Sequence, residues 1–227
     1  MHTDNNKILN YLYKNFARTD NCSDFPSLFQ PFSSCSRNTQ NQKEMVTSTV
    51  KAINFDLLTN WLYKYKGDKP KSADALTFTL NDIFLIEFKS GDQVEKELNR
   101  NKLIKGATGK INGSDYTLCT DIISKVDEVD KNAVKFRFYL VVDAEAMGIN
   151  ILLQELVFRS KGSLPTGDEK IDALVNEVLP NMKEGICNPA HFKEIDIWFS
   201  ELFDKYLNSY GIKDITVMMD GALSASR

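Results

Sequence analysis

The sequence has few of the residues that bind transition metals. Its 227 residues include four cysteines and two histidines, and no two cysteines form a Cys-x-x-Cys pair. Zinc sites usually draw on such pairs together with histidine, so the pattern predicts reduced thiols rather than a zinc site. His191 lies in the first turn of a predicted helix, where we interpret it as a solvated or capping residue rather than a catalytic one.

Long apolar runs are also missing. Runs such as residues 138–142 are far too short to cross a bilayer, and the chain does not open with the basic and apolar regions of a secretory signal. We therefore expect a cytoplasmic protein without a membrane partner. The formal net charge of −3 argues against a uniformly basic surface, but it leaves room for a local basic track that binds nucleic acid.

One glycine-rich stretch has only part of a phosphate-binding motif. Residues 106–114 read Gly-Ala-Thr-Gly-Lys-Ile-Asn-Gly-Ser. The Walker pattern places four residues between the first glycine and the Gly-Lys pair, with Ser or Thr after it. Here two residues intervene and Ile111 follows. The stretch is therefore predicted to be a glycine-rich break or an irregular helix.

The spacing of apolar residues predicts most of the secondary structure. Helices are expected over residues 5–17, 44–64, 93–105, 115–127, 166–180 and 188–211. A capping box of Thr166 and Glu169 opens the fifth of these, and Gly211 stops the sixth. Strands are expected over residues 134–142 and 212–219, while 149–158 fit either structure. Residues 18–43 form a long polar connection.

Residues 73–91 carry the most specific signal in the chain. Two apolar runs flank residues 81–82, whose Asn-Asp sequence is typical of a two-residue hairpin turn. With that turn, Asp74 lies opposite Lys89. Because side chains alternate across a strand, Asp74, Glu87 and Lys89 then share one face at one end of the hairpin. A shift of one residue in register would separate Asp74 from the other two.

Two carboxylates and an ammonium group on one face suit phosphoryl chemistry. Carboxylate oxygens bind a hard divalent cation such as Mg²⁺. Such an ion lowers the pKa of a bound water and neutralises charge that develops on a phosphate. A lysine on the same face could orient or deprotonate that water, or stabilise the developing charge, and the sequence does not choose among these roles.

This arrangement resembles the PD-(D/E)XK nuclease superfamily, which has the restriction endonuclease-like fold. The family pattern is an acidic residue at the start of one strand and Glu-x-Lys on the next, matched here by Asp74, twelve intervening residues, and Glu87-Phe88-Lys89. The resemblance implies that Asp74 and Glu87 hold Mg²⁺ or Mn²⁺ and that the backbone carbonyl of Phe88 adds a ligand. It also implies that Lys89 serves the attacking water.

The resemblance implies supporting residues as well. Many members carry a further acidic residue on the helix before the hairpin, for which Glu44 and Asp56 are the candidates. The family core also has a strand before the Asp strand, which would fall at residues 60–66. The helix after Glu-x-Lys often contacts substrate phosphate, and three basic residues lie in that region: Arg100, Lys102 and Lys105.

We therefore expect a single-domain α/β protein whose central mixed β-sheet is flanked by helices. A restriction endonuclease-like core would cover residues 44–142. An N-terminal helix and long loop over 1–43 would precede it, and a mainly helical C-terminal extension over 143–220 would follow.

The expected function is that of a Mg²⁺-dependent DNA endonuclease, and double-strand cutters of this kind are often homodimers. Two alternatives stay open. The chain could be a nuclease-fold module that binds nucleic acid or a protein partner without turnover. It could also be an unrelated α/β protein in which the hairpin is only core, with Asp74 and Lys89 forming an exposed ion pair.

Overall fold

A mixed β-sheet of six strands forms the centre of the molecule. The structure is a computed structural model that describes residues 4–17, 28–37, 42–90, 100–130, 132–160 and 166–218. The strands lie side by side in chain order: β1 (Phe29–Pro31), β2 (Lys51–Asn54), β3 (Ala75–Phe78), β4 (Ile83–Lys89), β5 (Phe136–Val142) and β6 (Phe192–Phe199). Strands β1 to β4 pair antiparallel, whereas β4, β5 and β6 pair parallel.

Helices cover both faces of this sheet, which confirms the predicted α/β class with a central mixed sheet. They are α1 (Asp4–Leu12), α2 (Phe32–Cys35), α3 (Phe55–Tyr63), α4 (Arg100–Tyr116), α5 (Ile151–Ser160), α6 (Glu169–Ala173), α7 (Leu179–Glu184) and α8 (Phe203–Tyr210). Shorter π-helical turns extend three of them, over Tyr13–Ala17, Thr117–Ile122 and Leu174–Val178. Among these described helices, none has the length and apolar content needed to span a bilayer.

Alternation along β4 divides the core into two layers. Ile83 and Leu85 face a layer to which α1, α3 and α4 contribute, whereas Phe84 and Ile86 face a layer to which α8 contributes. Each fully buried side chain of this size stabilises the fold by roughly 1.5–3 kcal/mol. Glu87 lies two residues beyond Leu85, so it faces the α4 side of the sheet.

Strands β3 and β4 form the predicted hairpin, but with a longer loop. Phe78 pairs with Ile83, so the loop has four residues, 79–82, rather than two. Thr79 closes it, because its N–H donates to the carbonyl of Asp82 at 2.9 Å and its hydroxyl accepts from the N–H of Asp82 at 3.1 Å. The predicted two-residue turn was therefore wrong.

The loop is also centred one residue earlier than predicted, which moves the register by two residues. Ala75 pairs with Ile86, and continuing that register puts Asp74 opposite Glu87 instead of opposite Lys89. Because side chains alternate with a period of two, a shift of two leaves every side chain on its predicted face. Asp74, Glu87 and Lys89 therefore still lie on one face of the hairpin.

Residues 44–64 contain a strand followed by a helix, so the prediction of one helix was wrong. The first part is extended and leads into β2, which pairs with β1 and β3. Helix α3 starts only at Phe55, where the side chain of Asn54 accepts a hydrogen bond from the N–H of Leu57 at 3.0 Å. Asn54 thus separates the strand from the helix.

The strand before the Asp strand is therefore β2. Residues 60–66, proposed for that strand, lie at the end of α3 and in the turn after it. The predicted helix over 5–17 is confirmed by α1 and its π-helical turn. The predicted helix over 115–127 is present up to residue 125.

The middle of the chain also holds the predicted strand over 134–142, which is β5. The ambiguous segment 149–158 lies largely in α5. The glycine-rich stretch 106–114 lies inside α4. Residues 91–99, where a helix was predicted to begin, lie outside the described part of the chain.

The C-terminal third departs most from prediction. Residues 192–199 were assigned to a helix, but they form β6, which extends the sheet beyond the predicted core and into the supposedly helical extension. The predicted strand over 212–219 is helical at residues 215–218. Gly211 does end a helix, α8, in a left-handed conformation with φ of 67°.

The start and end of the helical segment after residue 166 also differ from prediction. Asp168, rather than Thr166, caps α6, since its carboxylate accepts the N–H groups of Lys170 and Ile171. The helical segment continues past Pro180, which lies in the first turn of α7. The π-helical turn over Leu174–Val178 leads directly into α7, so the helical segment is continuous across this proline.

Candidate active site

The glycine-rich stretch 106–114 brings α4 into close contact with the approach to β3. A Cβ atom at Gly113 would lie 1.9 Å from the carbonyl oxygen of Lys71, so a side chain larger than hydrogen would separate the two segments. The hydroxyl of Ser114 accepts a hydrogen bond from the N–H of Ala73 at 2.8 Å. These contacts fix α4 beside the first residues of the hairpin.

Four charged side chains meet at this end of the hairpin. The Nζ atom of Lys110, on α4, lies 3.5 Å from Oδ1 of Asp74 and 3.2 Å from Oε2 of Glu87. The Nζ atom of Lys89 lies 3.1 Å from Oε1 of Glu87. The second oxygen of Asp74 accepts the backbone N–H of Phe88 at 2.8 Å. The structure thus brings the three predicted residues together and adds Lys110; these four are called the carboxylate–lysine cluster below.

Burial dominates the electrostatics of the two carboxyl groups. The side chain of Glu87 is 1% exposed and that of Asp74 is 24% exposed. Burial, together with the nearby Asp74 carboxylate, raises the pKa of Glu87 to about 8. Burial also raises the pKa of Asp74, although Lys110 and the N–H of Phe88 oppose the shift. Burial and the Asp74 carboxylate thus favour the protonated form of Glu87, while the ammonium groups of Lys110 and Lys89 favour the ionised form.

The pKa of Lys110 moves in the opposite sense to that of an isolated buried lysine. Burial lowers it, but the carboxylates of Glu87, Asp74 and Asp56 outweigh burial and raise it above its ordinary value. The Lys110 side chain therefore stays positively charged. It acts as a cation placed between two acidic groups.

One oxygen of Glu87 fits a metal ligand. Oε2 is buried, and none of the described residues donates an aligned hydrogen bond to it, although the Lys110 ammonium lies 3.2 Å away. A buried carboxylate oxygen without an aligned donor is costly. Beside a second carboxylate it suits a hard divalent cation, so the donor set of Asp74 and Glu87 fits Mg²⁺ or Mn²⁺. The role of the Phe88 carbonyl as a further ligand stays a prediction.

Of the two further acids, Asp56 lies near the cluster. Its Oδ1 atom accepts hydrogen bonds from Nζ of Lys69 at 2.8 Å and from the hydroxyl of Ser72 at 3.0 Å. It is close enough to influence the pKa values of the cluster. The carboxylate of Glu44 instead pairs with Arg37 at 2.7 Å, in an isolated β-bridge, so this described contact lies outside the cluster.

The predicted phosphate-binding residues lie on α4. Lys102 and Lys105 are exposed on this helix. Arg100 is its first residue, and the side chain of Arg100 lies outside the described part of the structure. Their role in binding substrate stays a prediction.

Lys110 was not predicted as a site residue, and neither was the packing of Lys71 against α4. The side chain of Lys71 packs against α4. A Cβ atom at Gly109 would lie 3.2 Å from Cδ of Lys71. The signal for this packing is present in the sequence, because glycines at 106, 109 and 113 fall on one side of a helix. Such a glycine-lined side permits close approach to another segment, and Lys110 borders it.

A second group of chemically active side chains lies near the end of α4. Nδ1 of His191 is 2.7 Å from Oδ1 of Asp115, and Sγ of Cys119 is 3.4 Å from that oxygen and 3.7 Å from Nδ1. Asp115 and Cys119 are buried and His191 is half-buried. This Asp/Cys/His group could hold a metal ion. His191 was predicted to be a solvated or capping residue, but its ring is half-buried and contacts Asp115.

Comparison with known proteins does not assign the chain to a family. Neither the protein-family models, nor the curated proteins, nor the solved structures include a match to it. The chemistry of the carboxylate–lysine cluster and of the Asp115–Cys119–His191 group is therefore inferred from their own geometry.

Proposed function

We propose that this protein is a metal-dependent nuclease that hydrolyses phosphodiester bonds in DNA, with Asp74, Glu87 and Lys89 as its catalytic residues. The observation that carries the proposal is the convergence of two carboxylates with ammonium groups around a buried oxygen that lacks an aligned hydrogen bond. Carboxylates bind hard cations, and ammonium groups pair with phosphate. A metal-dependent phosphodiesterase needs a bound cation and positively charged side chains beside the same phosphate group.

Each residue has a distinct part in the proposed reaction. Asp74 and Glu87 would hold Mg²⁺ or Mn²⁺, which when bound lowers the pKa of a water and neutralises charge developing on the phosphate. The Phe88 N–H fixes the orientation of the Asp74 carboxylate. Lys89, held beside Glu87, orients the attacking water. Lys110 pairs with the phosphate once its two carboxylate partners are neutralised.

The order of elements supports the same assignment. Strand β2 comes first, Asp74 lies directly before β3, and β4 carries Glu-x-Lys. Helix α4 follows, and β5 then pairs parallel with β4. The resemblance to the PD-(D/E)XK superfamily implies the same succession of strand, Asp strand, Glu-x-Lys strand and helix, although here α3 lies between β2 and β3. Helix α4 also presents Lys102 and Lys105 to solvent, where a polyanion could reach them.

One observation favours a second function. The Lys110 ammonium already lies between the two carboxylates, so it can neutralise them without a metal ion. A cluster balanced in this way would suit a nuclease-fold module that binds nucleic acid or a protein partner without turnover. The net charge of −3 is compatible with that role.

Cleavage assays with the full chain separate the two functions. The nuclease proposal predicts Mg²⁺- or Mn²⁺-dependent cleavage of plasmid or linear DNA, abolished by a chelator and by Asp74→Ala or Lys89→Ala. Glu44→Ala, which removes a carboxylate outside the cluster, serves as the matched control and should cleave normally. RNA assayed in parallel tests the choice of substrate.

Two results would reject the site assignment. One is cleavage that persists unchanged in both Asp74→Ala and Lys89→Ala. The other is a calorimetric titration in which the unmodified protein binds neither Mg²⁺ nor Mn²⁺, an outcome that would support the module, particularly if DNA binding survives both substitutions.

A further inference from the structure

We propose that Asp115, Cys119 and His191 form a zinc site that joins α4 to the segment leading into β6. The site is separate from the carboxylate–lysine cluster. It also does not depend on whether the protein is a nuclease.

The three donor atoms lie close enough together to share one zinc ion. Oδ1 of Asp115, Sγ of Cys119 and Nδ1 of His191 form a triangle with sides of 2.7, 3.4 and 3.7 Å. A point equidistant from these three atoms lies about 1.9 Å from each of them. Zinc binds nitrogen and oxygen at about 2.0–2.2 Å and thiolate sulfur at about 2.3 Å. An ion just above the plane of the triangle would therefore reach all three donors after small shifts.

The chemistry of the donors selects zinc over the hard cations. Thiolate and imidazole suit Zn²⁺, whereas Mg²⁺ and Ca²⁺ prefer oxygen ligands alone. The Asp115 carboxylate and a Cys119 thiolate carry two negative charges, which a divalent ion balances. Balance matters here because the side chain of Asp115 is 4% exposed and Cys119 is 8% exposed, and an uncompensated charge is costly at such depth.

The surroundings also resemble those of a metal site. The side-chain amide of Asn188 donates to Oδ2 of Asp115 at 2.8 Å, which orients the carboxylate so that Oδ1 faces the other two donors. The ring of Phe136 lies edge-on to His191, with 6.3 Å between ring centroids, and forms an apolar wall. Oriented ligands and an apolar surrounding both strengthen metal binding.

A cysteine–histidine catalytic pair fits the same residues less well. In a catalytic triad the acidic residue and the nucleophile contact different nitrogens of the histidine ring. Here both Cys119 and Asp115 contact Nδ1. Convergence of three donors on one point is the geometry of a metal site.

The position in the fold means that an ion bound here would join two distant segments of the chain. Asp115 and Cys119 lie four residues apart, at the end of α4 and in the π-helical turn that follows. His191 belongs to the short 3-10 turn before β6, 72 residues beyond Cys119. An ion shared by these segments would fix the helix that also carries Lys110. With three protein ligands, the fourth coordination position would be left to water, as in zinc sites that keep an open position.

Cobalt substitution provides the direct test. The purified full-length protein should retain close to one equivalent of zinc after dialysis, and Co²⁺ added to the chelator-treated protein should give a thiolate-to-cobalt charge-transfer band and visible bands of tetrahedral intensity. Cys119→Ser should remove the charge-transfer band. Cys187→Ser, which alters an exposed thiol four residues before His191, should leave it unchanged.

The spectrum also distinguishes this site from the carboxylate–lysine cluster, because cobalt held by carboxylates alone gives no thiolate band. Asn188→Ala should weaken zinc binding about tenfold or more. If Cys119→Ser fails to fold, the unmodified protein and His191→Ala still decide the outcome. An unmodified protein that retains no zinc and gives no thiolate band, or a band that survives Cys119→Ser, would overturn the proposal.

Discussion

Nζ of Lys110 lies 3.2 Å from the buried Oε2 atom of Glu87, so an ammonium group from α4 occupies the space between the two carboxylates of the hairpin. A divalent cation bound by Asp74 and Glu87 must displace it. The same ammonium stabilises the two acidic groups when no cation is bound. Lys110 would therefore compete with a cation at this site, and its ion pairs with the two acids stabilise the metal-free fold.

Lys110→Met separates these two effects. Without the competing ammonium, Mg²⁺ affinity should rise roughly tenfold, while the metal-free protein should lose roughly 1–3 kcal/mol of stability because two buried acids lose a partner. Calorimetry and denaturant unfolding measure the two changes. Lys105→Met, on the exposed side of the same helix, is the control for both. A fall in Mg²⁺ affinity would mean instead that Lys110 helps to hold the ion.

Glu87 should make stability depend on pH. Its pKa is about 8 in the folded protein against an ordinary value of 4.5, so between these values the folded state binds a proton that the unfolded chain has released. This contribution is fully present below about pH 4.5 and is lost as the pH rises through about 8, by at most about 1.4 kcal/mol per pH unit. The raised pKa of Asp74 acts in the same direction.

Glu87→Gln mimics the protonated acid and should therefore lose less stability than the unmodified protein when the pH is raised from about 5 to about 9. Denaturant unfolding at several pH values gives the comparison. Glu44→Gln changes a carboxylate outside the cluster and should follow the unmodified protein. Parallel curves for all three proteins would show that Glu87 ionises normally in the fold.

Metal binding should release a proton for the same reason. Below pH 8 a cation must displace the proton on Glu87, so Mg²⁺ affinity should rise by up to about tenfold per pH unit and level off above about pH 8. Titration calorimetry in two buffers of different ionisation enthalpy counts the protons, with about one expected per Mg²⁺ at pH 7 and few at pH 9. An affinity that is independent of pH would place the ion elsewhere.

The boundary between β2 and α3 depends on a single cap. Asn54 accepts the N–H of Leu57 at 3.0 Å, and loss of such a cap costs about 1 kcal/mol. Asn54→Ala should lower the free energy of unfolding by that amount. Asn60→Ala, an exposed substitution on the same helix, should leave stability unchanged or raise it slightly. Equal effects of the two substitutions would mean that the cap contributes nothing.

The convergence of charges on the hairpin could be predicted from sequence because it depends on alternation rather than on precise register. The true pairing differs from the predicted one by two residues, owing to the loop that Thr79 closes. A shift of two preserves faces, so Asp74, Glu87 and Lys89 stayed together. A shift of one would have separated them, and the apolar residues of the hairpin made that shift costly.

The strand β6 could not be predicted in the same way. Its inward residues Ile195, Ile197 and Phe199 alternate as in a strand, but Trp198, Leu202 and Phe203 continue a helical spacing into α8. Hydrogen bonding to β5 selects the strand over the helix. Because β5 is distant in the sequence, this contact cannot be seen in a local pattern. The Asp115–Cys119–His191 group likewise depends on a distant contact, because His191 lies 72 positions beyond Cys119 and 76 beyond Asp115. No local pattern encodes that proximity.

The glycines of α4 could be predicted only in part. Their spacing is visible in the sequence, but the segment that packs against them is not. Gly113 is where a side chain is excluded: its Cβ would lie 1.9 Å from the Lys71 carbonyl oxygen, whereas a Cβ at Gly106 would meet nothing within 4 Å. The two positions lie on one helix and invite the same substitution. Substitution by alanine should change the free energy of unfolding in opposite directions at Gly106 and Gly113.

Gly106→Ala should stabilise the protein by about 0.5–1 kcal/mol, since alanine is the better helix former. Gly113→Ala should destabilise it by roughly 1–3 kcal/mol, because the helix must move away from Lys71 to admit a methyl group. That movement would also stretch the hydrogen bond from Ala73 to Ser114 and withdraw Lys110 from the two carboxylates. Metal-dependent cleavage should therefore fall in Gly113→Ala and not in Gly106→Ala. Similar stability for both variants would mean that α4 does not need this close approach to place Lys110.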